Sequence, residues 1–165
     1  MIQIHRQLVY ALLALQHMRM VGAMGCSDRL VTARELCQVH SMPFDVLSKV
    51  LQRLAHCGML SSSQGAQGGY QLRTDLRQCS LYELSEALVG PIRFANCMDE
   101  RCECQLTGSC TVISAVVNLA KRVENLYRNV SVDELLESNE NDEEREIRKR
   151  FASTQETMSL LSQEN

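Results

Sequence analysis

Two short amphipathic segments, joined by about three residues, constrain the fold of this chain most strongly. The first begins at Thr32, whose hydroxyl can form a capping box with Glu35, and it ends near Val39. The second follows a proline and covers residues 44–56. Two short helices with a tight turn between them have the proportions of a helix-turn-helix.

The second segment has one apolar face and one polar face. Spacings of three and four residues predict a buried stripe made of Phe44, Leu47, Val50, Leu51 and Leu54. The other side carries Asp45, Ser48, Lys49, Gln52, Arg53 and His56. We therefore expect this helix to pack by its apolar stripe and to present its polar side to a partner.

A glycine-rich hairpin follows the two helices. Residues 59–63 and 70–73 are strand-like runs on either side of the loop 64–69. The glycines are not followed by Lys-Ser/Thr, so a phosphate-binding loop is not expected. A helix over Ile4 to Met18 precedes this unit, and a helix with a capping box at Ser80 follows it. The predicted fold is mainly α: a winged helix-turn-helix with a small β-hairpin wing and a long C-terminal dimerisation helix.

The long helix carries a heptad pattern. Its apolar residues alternate at four and three positions: Val112, Val116, Leu119, Val123, Leu126 and Val130. This is a coiled-coil seam of about three heptads. A second apolar face holds Ile113, Val117 and Ala120. Because one small domain cannot cover both faces, we expect a homodimer; a long core helix in a monomer is the alternative.

Length and charge divide the chain further. Its 165 residues exclude a large multi-domain enzyme. We predict a DNA-binding domain at 1–92, a cysteine-rich loop at 93–111, a dimerisation helix and its end at 112–137, and a charged, mobile tail at 138–165. Up to residue 96 there are nine Lys and Arg against six Asp and Glu; beyond it there are eight against fourteen. The front part is therefore the part suited to an anionic partner.

No apolar run spans a bilayer and no export signal is visible, so the expected location is the cytoplasm.

Four of the eight cysteines fall within 14 residues: Cys97, Cys102, Cys104 and Cys110. In a reducing compartment such a cluster indicates metal binding or redox chemistry more than structural disulfides. Clustered thiolates repel each other, and iron in a cluster, or zinc, relieves the repulsion. Zinc is less favoured than iron, because structural zinc sites usually combine two short Cys or His pairs. Here Cys102 and Cys104 form one short pair, and no second pair follows. No histidine follows His56 to serve as a base for a nucleophilic cysteine, so an enzyme is not expected.

Taken together, these features resemble the Rrf2 family of bacterial winged-helix transcription regulators over about residues 1–137. The resemblance is carried by the first helix with Tyr10-Ala11-Leu12, the two-helix unit 32–60, Gly65 with Gly68-Gly69-Tyr70, the Ser80 helix ending at Gly90-Pro91-Ile92, and the cysteines before the long helix. It implies a cytoplasmic homodimer that binds a double-stranded DNA operator, with repression as the expected outcome. Its DNA affinity would be controlled by an iron–sulfur cluster, 2Fe–2S or 4Fe–4S, that senses redox state, nitric oxide or iron–sulfur status.

The resemblance also implies a set of site residues. Cys97, Cys104 and Cys110 would ligate the cluster, with His40 or Cys102 as the fourth ligand. Other members use a histidine or an acidic residue where this chain has Ile113 and Val9. The DNA-binding residues are assigned from the helix faces and the wing. Phosphate contacts are expected from Arg34, Lys49, Arg53 and Arg73, and base contacts from Ser48 and Gln52, with Gln64 and Gly65 at the tip of the wing. Gln64 stands where many members insert an arginine into the minor groove, which predicts a weaker preference for narrow grooves.

Two other functions remain open from the residues alone. One is a zinc-containing or thiol-based redox regulator, in which neighbouring cysteines of the cluster form a disulfide. The other is an iron–sulfur or protein-interaction adaptor whose winged domain no longer binds DNA, which Gln64 and the low basic charge would allow.

Overall fold

The computed structural model describes residues 4–25, 27–65, 67–92, 104, 106 and 109–137. Two predicted cluster residues, Cys97 and Cys102, lie outside these ranges, as does the charged tail. The elements are α1 (Arg6–Met20), α2 (Ala33–His40), α3 (Phe44–His56), β1 (Leu60–Ser63), β2 (Gly69–Leu72), α4 (Leu81–Val89), α5 (Ile113–Asn129) and α6 (Val132–Glu137). This order confirms the predicted winged helix-turn-helix with a small hairpin. The sequence did not predict α6 as a separate helix.

The wing is a two-stranded antiparallel sheet. Leu60 pairs with Leu72 at its base, and Ser63 pairs with Gly69 near its tip. Val31, just before α2, exchanges two backbone hydrogen bonds with Tyr70, at 2.9 and 2.8 Å. A Cβ on Gly69 would lie 2.9 Å from the Val31 carbonyl oxygen, so this approach requires glycine. The wing is thereby fixed to the start of the helix-turn-helix.

The core lies where α1, α3 and α4 meet. Fully buried leucines from the three helices form it: Leu15, Leu47, Leu51, Leu54, Leu84 and Leu88. The predicted stripe of α3 is confirmed with one exception. Phe44 was expected in the stripe, yet its side chain is 54% exposed. The expectation was wrong because Phe44 is the first residue of α3 and lies beyond the edge of the core.

The long helix α5 is attached to the winged domain through α4. The Arg128 guanidinium lies 3.6 Å from the centre of the Tyr82 ring. The backbone N–H of Leu81 donates to the carbonyl of Val130 at 2.9 Å. In α5, Ala120 is buried against the domain, whereas Val112, Leu119 and Leu126 are more than half exposed. Within the described part of the chain, no helix has both the length and the apolar character that crossing a bilayer requires.

Candidate nucleic-acid interface and cysteine segment

The start of α2 differs from the predicted capping box. The Thr32 hydroxyl accepts a hydrogen bond from the Glu35 backbone N–H at 3.1 Å, as expected. The Glu35 carboxylate, however, turns to the Arg29 guanidinium and to His17 Nε2, which lies 3.2 Å away. The second half of the box was a wrong prediction, because the Arg29 guanidinium attracts the carboxylate more strongly than the neutral N–H and His17 gives it a further hydrogen-bond partner. Glu35 therefore joins α2 to α1.

The turn between α2 and α3 has a left-handed residue. Ser41 caps α2 at a φ of 52°, and Met42 is buried beneath the turn. A non-glycine residue in this conformation is uncommon. This geometry sets the direction in which α3 leaves the turn.

The outward face of α3 is polar. Asp45, Lys49, Gln52 and His56 are exposed and lie opposite the buried leucine stripe. Two predicted DNA-binding residues, Lys49 and Gln52, are thus placed side by side on an accessible helix surface. Ser48 lies at the edge of this face, and its hydroxyl is buried with no hydrogen-bond partner in the part of the chain that the structure describes.

Arg53 lies at the flank of the outward face and is exposed, but its guanidinium is directed towards α4 and α1. Its Nη1 donates to the Leu88 carbonyl oxygen at the end of α4, and it donates to Gln7 Oε1 of α1 at 3.1 Å. The predicted phosphate-binding cation is therefore engaged with two other helices of its own domain.

The other predicted DNA-binding residues are exposed. Arg34 lies in the first turn of α2, Gln64 and Gly65 lie at the tip of the wing, and Arg73 follows β2. Phe44 is a further candidate for this surface, which sequence reasoning missed because its spacing matched the buried stripe. Phe44 is exposed at the start of α3, and the first residues of a recognition helix are those that approach base edges. Its place directly after Pro43 was the signal that it could lie outside the core.

His40, a candidate cluster ligand, is partly enclosed. Its ring meets the His17 ring edge-on, with centroids 5.3 Å apart. Its Nε2 is buried and has no partner among the described residues. Burial, and secondarily the neighbouring His17, lower the pKa of His40 below its ordinary value of 6.5. The folded chain therefore favours a neutral imidazole here, which is the form that binds metals.

The lowered pKa predicts that acid destabilises the iron-free protein. As the pH falls through 6.5, the unfolded chain takes up a proton at His40 more readily than the folded chain, so the free energy of unfolding decreases. Urea denaturation at pH 8 and pH 5 measures this, and His40→Gln should reduce the difference between the two values. His56→Gln, at an exposed position of α3, is the control; an unchanged pH dependence in His40→Gln would contradict the assignment.

The described cysteines of the cluster lie just ahead of α5. Cys104 and Cys110 are half-buried, and Cys110 precedes the first residue of α5 by three positions. No side chain caps the start of α5, and its first turn holds no acidic residue. Its first backbone N–H groups therefore form a positive end beside the cysteine segment, which suits an anionic ligand set.

The dispersed cysteines have other surroundings. Cys79 is buried, and burial followed by the nearby Glu83 raises the pKa of its thiol to about 11, which favours the protonated thiol over the nucleophilic thiolate. Burial also raises the pKa of Cys37, and Cys57 is exposed at the end of α3. Across the described ranges, no three His, Cys, Asp or Glu side chains gather into a metal-binding group.

The family of the chain follows from comparison with known proteins. Residues 4–138 match the family model described as Rrf2, iron-dependent transcriptional regulator. This chain belongs to the Rrf2 family. It is therefore a transcriptional regulator, as the resemblance predicted, and its winged helix, turn and long helix are those of an Rrf2 protein.

Two Rrf2 relatives illustrate the range of similarity. The transcriptional repressor NsrR of Streptomyces coelicolor is 30% identical over 105 residues, which cover 63% of this chain and 70% of the relative. A protein of Aquifex aeolicus described as an HTH-type transcriptional regulator is 24% identical over 129 residues, covering 77% and 86%.

Solved structures share the fold of this Rrf2 chain. The cysteine regulator CymR of B. subtilis superposes with a TM-score of 0.62 at 16% identity, covering 85% of this chain and all of CymR. IscR of T. potens superposes with a TM-score of 0.58 at 18% identity, covering 84% and 89%. At these identities the likeness establishes the architecture.

Proposed function

We propose that this Rrf2 regulator is a homodimeric repressor whose DNA affinity is controlled by an iron–sulfur cluster held by Cys97, Cys104 and Cys110. The observation that carries the proposal is that Cys104 and Cys110 are partly accessible and that Cys110 lies three residues before α5, whose N-cap residue Val112 makes no side-chain capping hydrogen bond. When bound, the cluster supplies iron whose charge and ligation change on oxidation, nitrosylation or loss. The similarity to NsrR supports the same direction of regulation, repression.

The fourth ligand is His40 or Cys102. His40 fits the donor requirement, since its neutral ring has one buried nitrogen with no partner among the described residues. It lies at the end of α2, beside the turn that directs α3. A ligand at this position would join the cysteine segment of one protomer to the helix-turn-helix of its partner.

The proposed reading surface combines α3 and the wing. Lys49 and Gln52 face outward from α3. The lysine would contact a DNA phosphate, and the glutamine would form hydrogen bonds with base edges. Phe44 at the start of α3 offers an aromatic edge to a thymine methyl group. Gln64 and Gly65 place the tip of the wing against the neighbouring minor groove, without the arginine that would read its width.

Replacing Lys49 with alanine tests the phosphate contact. Each lost phosphate contact lowers the slope of log affinity against log salt by about 0.9, so a dimer should lose about 1.8. Fluorescence anisotropy on the DNA upstream of the protein's own gene, between 50 and 200 mM salt, measures the slope. Lys121→Ala, at an exposed lysine of α5, is the control and should keep the wild-type slope. Equal slopes for Lys49→Ala and wild type would show that Lys49 makes no phosphate contact.

Anaerobic purification tests the cluster itself. The proposal predicts a coloured protein that absorbs between about 320 and 450 nm and contains iron and acid-labile sulfide. A colourless protein with stoichiometric zinc would replace the cluster by a structural zinc site. A colourless, metal-free protein that forms a disulfide on oxidation would favour a thiol-based regulator. An iron–sulfur protein without salt-sensitive DNA binding would be an adaptor.

A further inference from the structure

Arg53 lies on the recognition helix but bonds to the rest of the domain. One nitrogen of its guanidinium serves both the Leu88 carbonyl oxygen and Gln7 Oε1. Arg53 follows Lys49 by four residues, which places it about 40° around the helix at the flank of the outward face. The residue is exposed, but its guanidinium is bonded to α4 and α1. A side chain in this position ties α3 to α4 and α1.

The hydrogen bond from Arg53 satisfies the Leu88 carbonyl at the C-terminal end of α4. The last four carbonyls of a helix have no partner within it, and a cation near them also interacts favourably with the helix dipole. The last turn of α4 contains no basic residue of its own. Gly90 N–H reaches the Glu86 carbonyl, and Arg53 supplies a donor to Leu88. The cation that completes the end of α4 thus comes from the recognition helix.

The end of α4 is also the beginning of the cysteine segment. After Val89 the chain turns at Gly90, with a φ of 86°, and residues 93–103 begin three residues later. The other side of the same segment leads into α5, which contacts the start of α4 through Arg128 and Tyr82. Only Pro91 and Ile92 separate the cysteine segment from the end of α4, whose Leu88 carbonyl Arg53 holds.

We propose that Arg53 is a positioning residue that transmits the state of the cysteine segment to the recognition helix through the end of α4, and that it makes no phosphate contact. This inference rests on the proposed function for the signal that moves the segment. The tie itself, between Arg53, Leu88 and Gln7, requires no cluster. Small shifts at one end of such a packed, bonded pair of helices move the other end because the leucine core between them deforms little.

The test compares Arg53→Ala, Arg53→Lys and Gln7→Ala with the wild-type protein in iron-loaded and iron-stripped forms. Anisotropy on the DNA upstream of the protein's own gene gives the salt slope and the ratio of the two affinities. We expect Arg53→Ala to keep the salt slope and to lower the ratio at least threefold. Gln7→Ala, which leaves the charge of α3 unchanged, should lower the ratio in the same direction. Arg53→Lys should resemble Arg53→Ala, because the lysine nitrogen is one bond closer to the backbone than the Nη1 that donates to both oxygens.

Each outcome decides. A salt slope that falls by about 0.9 for each Arg53 removed, with near wild-type binding by Arg53→Lys, would establish a phosphate contact and overturn the proposal. An unchanged slope with an unchanged ratio in all three variants would overturn the transmitting role. Equal DNA affinities of the iron-loaded and iron-stripped wild-type protein would overturn the proposed function and the transmission together. The salt slope of Arg53→Ala would still decide whether Arg53 contacts DNA.

Discussion

Replacing Leu119 and Leu126 with glutamate is expected to convert the dimer to monomers and to weaken operator binding by about two orders of magnitude or more. These side chains are 64% and 59% exposed in the single chain, and they lie seven residues apart on one line of α5 with Val112. Such an apolar line is the seam of a coiled coil, and a charge in the seam would be buried without a partner. Two linked recognition helices also bind DNA far more tightly than one.

Sedimentation equilibrium and anisotropy measure the two effects together. The matched control is Asn118→Glu with Asn125→Glu, which places the same charges at the same seven-residue spacing on an exposed polar side of α5. The control should remain dimeric and bind with wild-type affinity. A leucine variant that remained dimeric, or monomers that bound the operator as tightly as wild type, would contradict the role given to α5.

Replacing Cys110 with alanine is expected to remove the cluster. Iron and sulfide should fall below about a tenth of the wild-type content, and the absorption between about 320 and 450 nm should disappear. The reason is that loss of one of the three cysteine ligands leaves an iron atom exposed to solvent. The fold should persist, since Cys110 is half-buried and outside the helices. Circular dichroism checks the fold.

The control for this variant is Cys57→Ser. Cys57 is exposed at the end of α3 and is distant in sequence from the cluster. It should keep the full iron and sulfide content. Full iron content in Cys110→Ala, or an equal loss in Cys57→Ser, would show that the cysteine segment is not the site.

Features that depend on local chemistry could be predicted from the sequence. The Ser80 capping box is formed, with the Ser80 N–H donating to Glu83 at 2.8 Å and the Glu83 N–H donating to the Ser80 hydroxyl at 3.2 Å. The hairpin and the end of α4 at Gly90 follow the same logic of glycine and capping preferences. These signals act over a few residues, so they can be read directly from the chain.

Features that depend on distant partners could not be predicted. Glu35 follows the capping pattern, but His17 and Arg29 take its carboxylate. Arg53 has the spacing of a polar-face residue, but its guanidinium bonds to the Leu88 carbonyl and to Gln7 of its own domain. Periodicity gives the angle of a side chain around its helix but not the groups that surround it.

The separate helix α6 shows the same limit. The Glu134 N–H donates to the Ser131 hydroxyl at 3.1 Å, and Val132 is buried against the domain. Arg19 of α1 then holds Asp133 at 2.6 Å. A short helix of this kind is stabilised by contacts made across the fold, so its sequence alone reads as a continuation of α5.

The most direct measurement compares the operator affinity of one preparation before and after its iron and sulfide are removed anaerobically. Fluorescence anisotropy on the DNA upstream of its own gene, at a fixed salt concentration, gives both values. We expect the loaded protein to bind at least about fivefold more tightly than the stripped protein. The reason is that loss of the cluster would change the separation of two recognition helices that must match half-sites about 34 Å apart. Equal affinities for the loaded and stripped protein would contradict it.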